Sequence, residues 1–351
     1  MFKYALAAIF SALIALTTAP AAQAAAHGHT ASKKHSGKHA AVKAPRAKVR
    51  ATASSRQRTE KVIIRVRGKK VVSYRPVRSA NFIIPRSAGD VAGLNLTPDQ
   101  VGLASNVAFV LDQTSSEVLF EKNANVALPI ASITKLMTGL VVVQAQQDMH
   151  EMISITEGDI DHEKHTSSRL NVGARMTRGD LLHIALMSSE NRAASALGRN
   201  YPGGISAFVE AMNAKARQLG MNDTRYVDAN GLSSRNVASA RDLAKLAVAA
   251  YQEPLLREYS TDPKYQVDAG GRLMHYSNTN YLVASPDWDI GLQKTGFINE
   301  AGRCLVMQAM IQGRAVIMVF LDSKGKQSRT ADAGRMRRWL EQLQVRAPGM
   351  G

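Results

Sequence analysis

With a single cysteine, Cys304, the chain of 351 residues cannot close an internal disulfide, which rules out a disulfide-stapled scaffold. It also lacks any apolar run of the about 18 residues that a membrane-crossing helix needs, so a membrane bundle is excluded. Acidic residues are missing from one stretch. Residues 27–90 hold 17 Lys and Arg against only Glu60 and Asp90, whereas residues 91–351 hold 27 against 26. The formal charge of +17 therefore belongs almost wholly to a tail. The remainder, roughly 260 near-neutral residues, is long enough for one large domain or two intimate ones.

The N-terminus reads as an export signal. Lys3 precedes an apolar stretch, Ala5–Leu16, too short to span a bilayer, and Ala22-Gln23-Ala24 or Ala24-Ala25-Ala26 offers small residues for cleavage. Residues 1–26 are expected to be a signal peptide, cut after Ala24 or Ala26, and the product is expected in the periplasm. No cysteine stands there to carry a lipid anchor. Residues 27–94 are expected to form a basic, largely disordered tail and linker, since residues 27–60 bury too little apolar surface to offset the entropy of ordering. Val62–Tyr74 alternates apolar and basic residues around Gly68-Lys69, a pattern open to a small hairpin, but a solvated linker is favoured. The tail's charge suits an anionic membrane or wall surface, and export removes nucleic acid from the expected partners. His27, His29, His35 and His39 are spaced too irregularly to predict a metal site, and His162-Glu163-Lys164-His165 lacks the spacing of a zinc-peptidase helix. No metal or cofactor is expected.

A packed domain is expected over 95–346. Val107–Leu111 and Glu117–Phe120 read as a hairpin, and Ile130–Val143 as a buried helix after Pro129. In that helix Lys135 is the anomaly, because an ammonium inside an apolar helix loses hydration and its pKa falls. Ser132, three residues earlier, shares its face. A hydroxyl beside an amine that can be neutral is a nucleophile with its base. Thr177-Arg178-Gly179-Asp180 resembles a capping box that opens a helix through Met187, and Ser189 and Asn191 follow on a polar turn where both can face a cleft. Lys294-Thr295-Gly296 leads into two strand candidates, Cys304–Ile311 and Ala315–Leu321, joined at Gln312-Gly313-Arg314. A cation, a hydroxyl and a glycine at a strand edge suit an extended peptide ending in carboxylate.

Each motif alone means little. Together S-x-x-K, S-x-N and K-T-G, in that order and at intervals of 57 and 105 residues, resemble the penicillin-recognising serine peptidases, the group of penicillin-binding proteins and class A β-lactamases. The contexts PIASITKLMTG, MSSENRAA and KTGF resemble its low-molecular-mass D-alanyl-D-alanine peptidases of the S11 type, in particular the periplasmic endopeptidases. The resemblance covers roughly residues 95–345 and leaves the tail outside. It implies Ser132 as acylated nucleophile, Lys135 as general base, Ser189 as proton relay, and Asn191 as a partner of the acyl side chain. It further implies Lys294, Thr295 and Gly296 as substrate-binding residues, with the backbone N–H of Phe297 joining that of Ser132 around the oxyanion. Arg329 would face the substrate carboxylate. Stem peptides of peptidoglycan and β-lactams are the implied ligands.

Where many relatives carry Thr two residues beyond the K-T-G glycine, this chain has Ile298, so one hydroxyl contact is missing and a free carboxyl terminus is expected to bind less well. Only 55 residues follow Gly296, too few for the extra β domain and anchoring helix of many carboxypeptidases. Cleavage of D-alanyl cross-links is therefore favoured over trimming of pentapeptides. A β-lactamase is disfavoured, because none of Glu210, Glu253 and Glu258 has an Asn four residues on. A wall-binding protein without activity would have no use for a desolvated lysine beside a serine. The element order implies an α/β (α+β) fold of β-lactamase and transpeptidase type: an antiparallel sheet from both chain ends, flanked by helices, with an inserted helical lobe at roughly 130–260.

Overall fold

The computed structural model describes residues 59–66, 69–76 and 86–346. The expected signal peptide and most of the tail lie outside them. Contacts divide the chain into two units, residues 1–80 and 81–351. In the first, Thr59–Val66 (β1) and Lys69–Pro76 (β2) pair antiparallel, with Ile63 opposite Val72 and Ile64 opposite Val71. The solvated linker favoured for residues 62–74 is thus corrected to a hairpin.

The second unit opens with a short helix, Ala88–Val91 (α1), whose cap Ser87 donates its hydroxyl to Asp322 Oδ2 at 2.7 Å. Packing thus begins ahead of residue 95. Strands β3 (Ser105–Asp112) and β4 (Val118–Lys122) follow, then β5 (Leu128–Pro129) and α2 (Thr134–Gln144). Next come β6 (Met152–Ser154), β7 (Arg175–Thr177), α3 (Arg178–Met187), α4 (Asn191–Arg199) and α5 (Gly204–Gln218). After β8 (Val237–Ala238), α6 (Ala240–Tyr251) and α7 (Pro254–Thr261), the chain makes the hairpin β9 (Lys264–Asp268) and β10 (Leu273–Ser277). It returns through β11 (Asp289–Ile298), β12 (Gly302–Ile311) and β13 (Arg314–Ser323) to α8 (Ser328–Arg346).

The expected antiparallel sheet forms in the order β11-β12-β13-β3-β4, so the two ends of the domain meet at the β13–β3 ladder. Its central strands are apolar on both faces because both faces are covered. Ile317, Val319 and Leu321 of β13 belong to one core with α2 and α6, while Val316, Met318 and Phe320 belong to another with Ala333, Met336 and Leu340 of α8. This period of two is the alternation of a strand read directly as two cores. Asp332, fully buried on α8, accepts from Ala104 N at 2.9 Å and Ser323 Oγ at 3.1 Å, pinning that helix to the sheet. The capping box expected at Thr177 and Asp180 is present and starts α3. The helical block also carries the small pairs β5–β8 and β6–β7, strands of two or three residues that are too short to show a hydrophobic period.

Candidate active site

The site grows from a turn. Ile130 N donates to Asn236 O at 3.1 Å, Ala131 takes a left-handed backbone (φ 48°), and residues 131–133 form one turn of 3₁₀ helix that runs into α2. Ser132 therefore lies on that 3₁₀ turn, just ahead of the α-helix on which it was expected. Lys135, three residues on in the first turn of α2, shares the face of Ser132, and its Nζ lies 2.9 Å from Ser132 Oγ.

Lys135 is fully buried. Burial pushes its ammonium down to about 7, against the opposing pull of Asp228 and then Glu190. Nζ also donates to Asn191 Oδ1 at 2.7 Å and to the carbonyl oxygen of Asn230. A neutral amine has two N–H bonds and one lone pair. With two fixed acceptors taking the N–H bonds, the lone pair is left for the Ser132 hydroxyl.

The Asn230 carbonyl is held by a loop that side chains staple together. Asp228 Oδ1 accepts from Asn230 N at 3.0 Å and Gly231 N at 2.6 Å, and Oδ2 accepts from Ser233 N at 2.9 Å. Asn236, fully buried, donates through Nδ2 to Asp228 Oδ1 at 2.7 Å and to Thr134 Oγ1 at 3.2 Å, and Thr138 Oγ1 donates to Ala229 O at 2.6 Å. Gly231 is required here on two counts. Its φ is +81°, and an added Cβ would stand 2.1 Å from Ala131 O.

The second motif lies where α3 gives way to α4. Ser189 follows the α3 cap with φ 64°, Glu190 caps α4, and Asn191 is the first residue of α4, its Oδ1 on Lys135. Among the described residues no hydrogen bond joins the Ser189 side chain to Ser132 or Lys135; Ser189 lies on the turn that precedes Asn191. Thr279 links this turn to the third motif. Its N–H donates to Met187 O at 2.9 Å, and its hydroxyl lies 2.6 Å from that of Thr295.

Lys294, Thr295 and Gly296 sit on β11, which among the described residues is an edge strand with no strand paired to its outer side. Gly296 lets β11 press on the nucleophile turn, for an added Cβ would lie 2.8 Å from Ile130 O and 3.2 Å from Ser132 N. Lys294 is fully buried, and Nζ donates to Thr295 O at 2.9 Å. Burial, then Lys135 and Arg329, hold its ammonium well below the ordinary lysine value. Phe297 is half-exposed beside the guanidinium of Arg303, 4.6 Å from its ring centroid. Ile298 is buried in the core shared with Ile130 and Ala131, so the side chain at this position contributes packing. Arg329 arrives from α8 and donates to Gly296 O at 2.7 Å. Burial lowers it to about 10.

Asn230, Asp228, Glu190 and Thr279 have no direct signature in the sequence. The Asp-Ala-Asn-Gly run at 228–231 is turn chemistry and marks a loop. Nothing local says that this loop closes on a lysine 95 residues away. Among the described residues no group of three or more His, Cys, Asp and Glu side chains is placed to hold a metal ion.

The family model described as D-alanyl-D-alanine carboxypeptidase, peptidase S11, matches residues 95–325, which include every motif of the site. A D-alanyl-D-alanine endopeptidase of Pseudomonas aeruginosa is 49% identical over 252 residues, 71% of this chain and 81% of that one. One of Escherichia coli K12 is 42% identical over 247 residues, 70% of this chain and 80% of the relative. The solved DD-transpeptidase of Streptomyces K15 superposes with a TM-score of 0.63 at 27% identity, covering 69% of this chain and 98% of that one. Penicillin-binding protein D2 of Listeria monocytogenes in its cefotaxime-bound form gives 0.61 at 29% identity, covering 69% and 98%. Carrying S-x-x-K, S-x-N and K-T-G in order inside the matched segment, the chain belongs to the S11 family of serine peptidases.

Proposed function

We propose that this protein is a serine D-alanyl-D-alanine endopeptidase that hydrolyses D-alanyl cross-links between peptidoglycan stem peptides and is acylated by β-lactams. The observation that carries it is the fully buried Lys135 Nζ, 2.9 Å from Ser132 Oγ and bonded as well to Asn191 Oδ1 and Asn230 O. The lone pair takes the Ser132 proton as Oγ attacks the carbonyl carbon of a D-alanine. The carbonyl oxygen becomes an oxyanion held by the N–H groups of Ser132 and Phe297, at about 3–4 kcal/mol for a donor lost. Collapse expels the amine of the second stem peptide, which takes its proton through Ser189, and water then releases the acyl group from Ser132. Thr295 binds the carboxylate adjoining the scissile amide. An anionic group there favours the charged form of Lys294, which burial beside Lys135 and Arg329 disfavours.

Endopeptidase is favoured over carboxypeptidase by the names of the two relatives above 40% identity and by the apolar Ile298. Digestion of purified cross-linked dimeric muropeptides tests it: dimers converted to monomers are expected, and pentapeptides shortened by one alanine with dimers intact would reverse the assignment. Fluorescent penicillin should label the wild type covalently and leave Ser132→Ala unlabelled. Because no Glu in the helical lobe carries the Asn partner of a deacylating site, the label should persist; hydrolysis of a β-lactam at tens of turnovers per second would contradict this.

We also assign residues 1–26 to an export signal, residues 95–346 to the peptidase domain and the mature enzyme to the periplasm. Residues 27–90 then serve as a cationic tether to anionic lipid or wall polymer. Their +15 excess over a near-neutral enzyme supports this, and deletion of residues 27–80, which spares the packed Ser87 and α1, should abolish cosedimentation with anionic vesicles or sacculi while leaving muropeptide cleavage in solution intact.

A further inference from the structure

Asn191 serves the lysine only if its amide points one way. The oxygen must face Lys135 Nζ and the nitrogen must face away, because the reverse orientation would aim an N–H at the lysine lone pair. What decides this lies on a loop outside the three motifs. Asn191 Nδ2 donates to Thr166 Oγ1 at 3.1 Å, and Thr166 in turn donates its hydroxyl proton to Asp161 Oδ2 at 2.7 Å. A hydroxyl has one proton. Once that proton is committed to a carboxylate, Thr166 offers Asn191 only lone pairs, so the side facing Thr166 must be Nδ2 and the side facing Lys135 must be Oδ1.

The loop is built to hold this arrangement. Asp161 accepts from Glu163 N and Lys164 N through Oδ1, each at 2.9 Å, and from Thr166 N through Oδ2 at 2.7 Å. These bonds and that of the Thr166 hydroxyl together outweigh desolvation and keep its carboxyl below the usual range, hence an obligatory acceptor. Lys164 fastens the loop to the turn after the K-T-G strand, with Nζ 2.6 Å from Glu300 Oε1. Thr166 itself is exposed, so water competes for its hydroxyl and the clamp depends on Asp161.

We propose that Thr166, oriented by Asp161, is a positioning residue for catalysis, fixing the Asn191 amide so that the lone pair of Lys135 points at Ser132. The proposal rests on the assignment of Ser132 and Lys135 as nucleophile and base. The charged groups that face Lys135 are Asp228 from the loop before β8, Glu190 from the turn before α4 and Lys294 from β11, and none of them is altered in the test.

The experiment measures the second-order rate of acylation by fluorescent penicillin as a function of pH for the wild type, Thr166→Val and Thr166→Ser. In Thr166→Val the amide is free to turn and place Nδ2 against Nζ. This disfavours the lysine ammonium and occupies the lone pair, so the acid limb should move to lower pH while the plateau falls about 10- to 100-fold, within the range for impaired general-base catalysis. Thr166→Ser, which keeps the hydroxyl, should restore both plateau and limb. A Thr166→Val enzyme with the wild-type plateau and limb overturns the proposal, and so does a Thr166→Ser enzyme as impaired as Thr166→Val. Failure of the underlying assignment would look different: a wild type that is not labelled, or a Ser132→Ala enzyme that is.

Discussion

Two buried lysines serve the site, and their surroundings are opposite. Lys135, at the start of α2, has Ser132 Oγ, Asn191 Oδ1 and Asn230 O around Nζ, with Asp228 and Glu190 supplying negative charge. Lys294, on the edge strand β11, has one carbonyl partner, Thr295 O, and two basic side chains nearby, Lys135 and Arg329. Burial depresses both, but the neighbours of Lys135 pull back up and those of Lys294 push further down. The first is thereby poised near neutrality with its lone pair directed, which suits a base. The second gains most from an arriving anion, which suits a receptor for carboxylate. Residue type and burial alone assign neither role; the charges and acceptors within reach do.

Exchanging Lys135 for Met breaks the comparison most severely. Acylation by penicillin should fall by about 10² to 10⁴, the range for a general base, and a variant within a few-fold of the wild type would remove Lys135 from the chemistry. The wild-type rate should show an acid limb near pH 7: below it Lys135 is an ammonium without a lone pair, and above it the amine is free to take the serine proton. A rate flat from pH 5 to 9 would place the base elsewhere. Lys294→Gln should act on the other side of the comparison, raising KM for a muropeptide by about 10- to 100-fold, the cost of one charged hydrogen bond, with a smaller change in kcat. An effect confined to kcat would make Lys294 part of the proton-transfer apparatus. Gly296→Ala tests the contact between the two regions. Its Cβ meets the Ile130 carbonyl at 2.8 Å, so strand and turn must part, and acylation should fall about tenfold with a melting temperature only a few degrees lower. The smallest effect is expected for Thr279→Val, which removes the hydroxyl partner of Thr295 at about 0.5–1.5 kcal/mol, seen as a severalfold rise in KM.

The base side was the more legible in sequence. Three-residue spacing brings Ser132 and Lys135 together by local geometry alone, and an ionisable residue in an apolar helix announces its own depressed pKa. The capping box at Thr177, the alternation in β12 and β13 and the turn at Gln312-Gly313 could be read for the same reason, because the physics that forms them acts over a few residues. The hairpin at 59–76 was misjudged where composition and alternation pointed in opposite directions. Asn230 was invisible because it acts through its backbone carbonyl, which carries no residue identity. Thr166 and Asp161 lay in a segment that resembled an ordinary polar loop, and only the fold aims that loop at Asn191.

The chain's covalent order therefore decided which groups existed, where helices and strands began, and that a hydroxyl and an amine would share one turn. What the folded domain alone decided was the state of those groups. A lysine becomes a base when water is excluded, two acceptors claim its N–H bonds and the nearest charges are held at set distances, and those acceptors and charges come from segments tens of residues apart that meet only when the sheet and the helical lobe have packed.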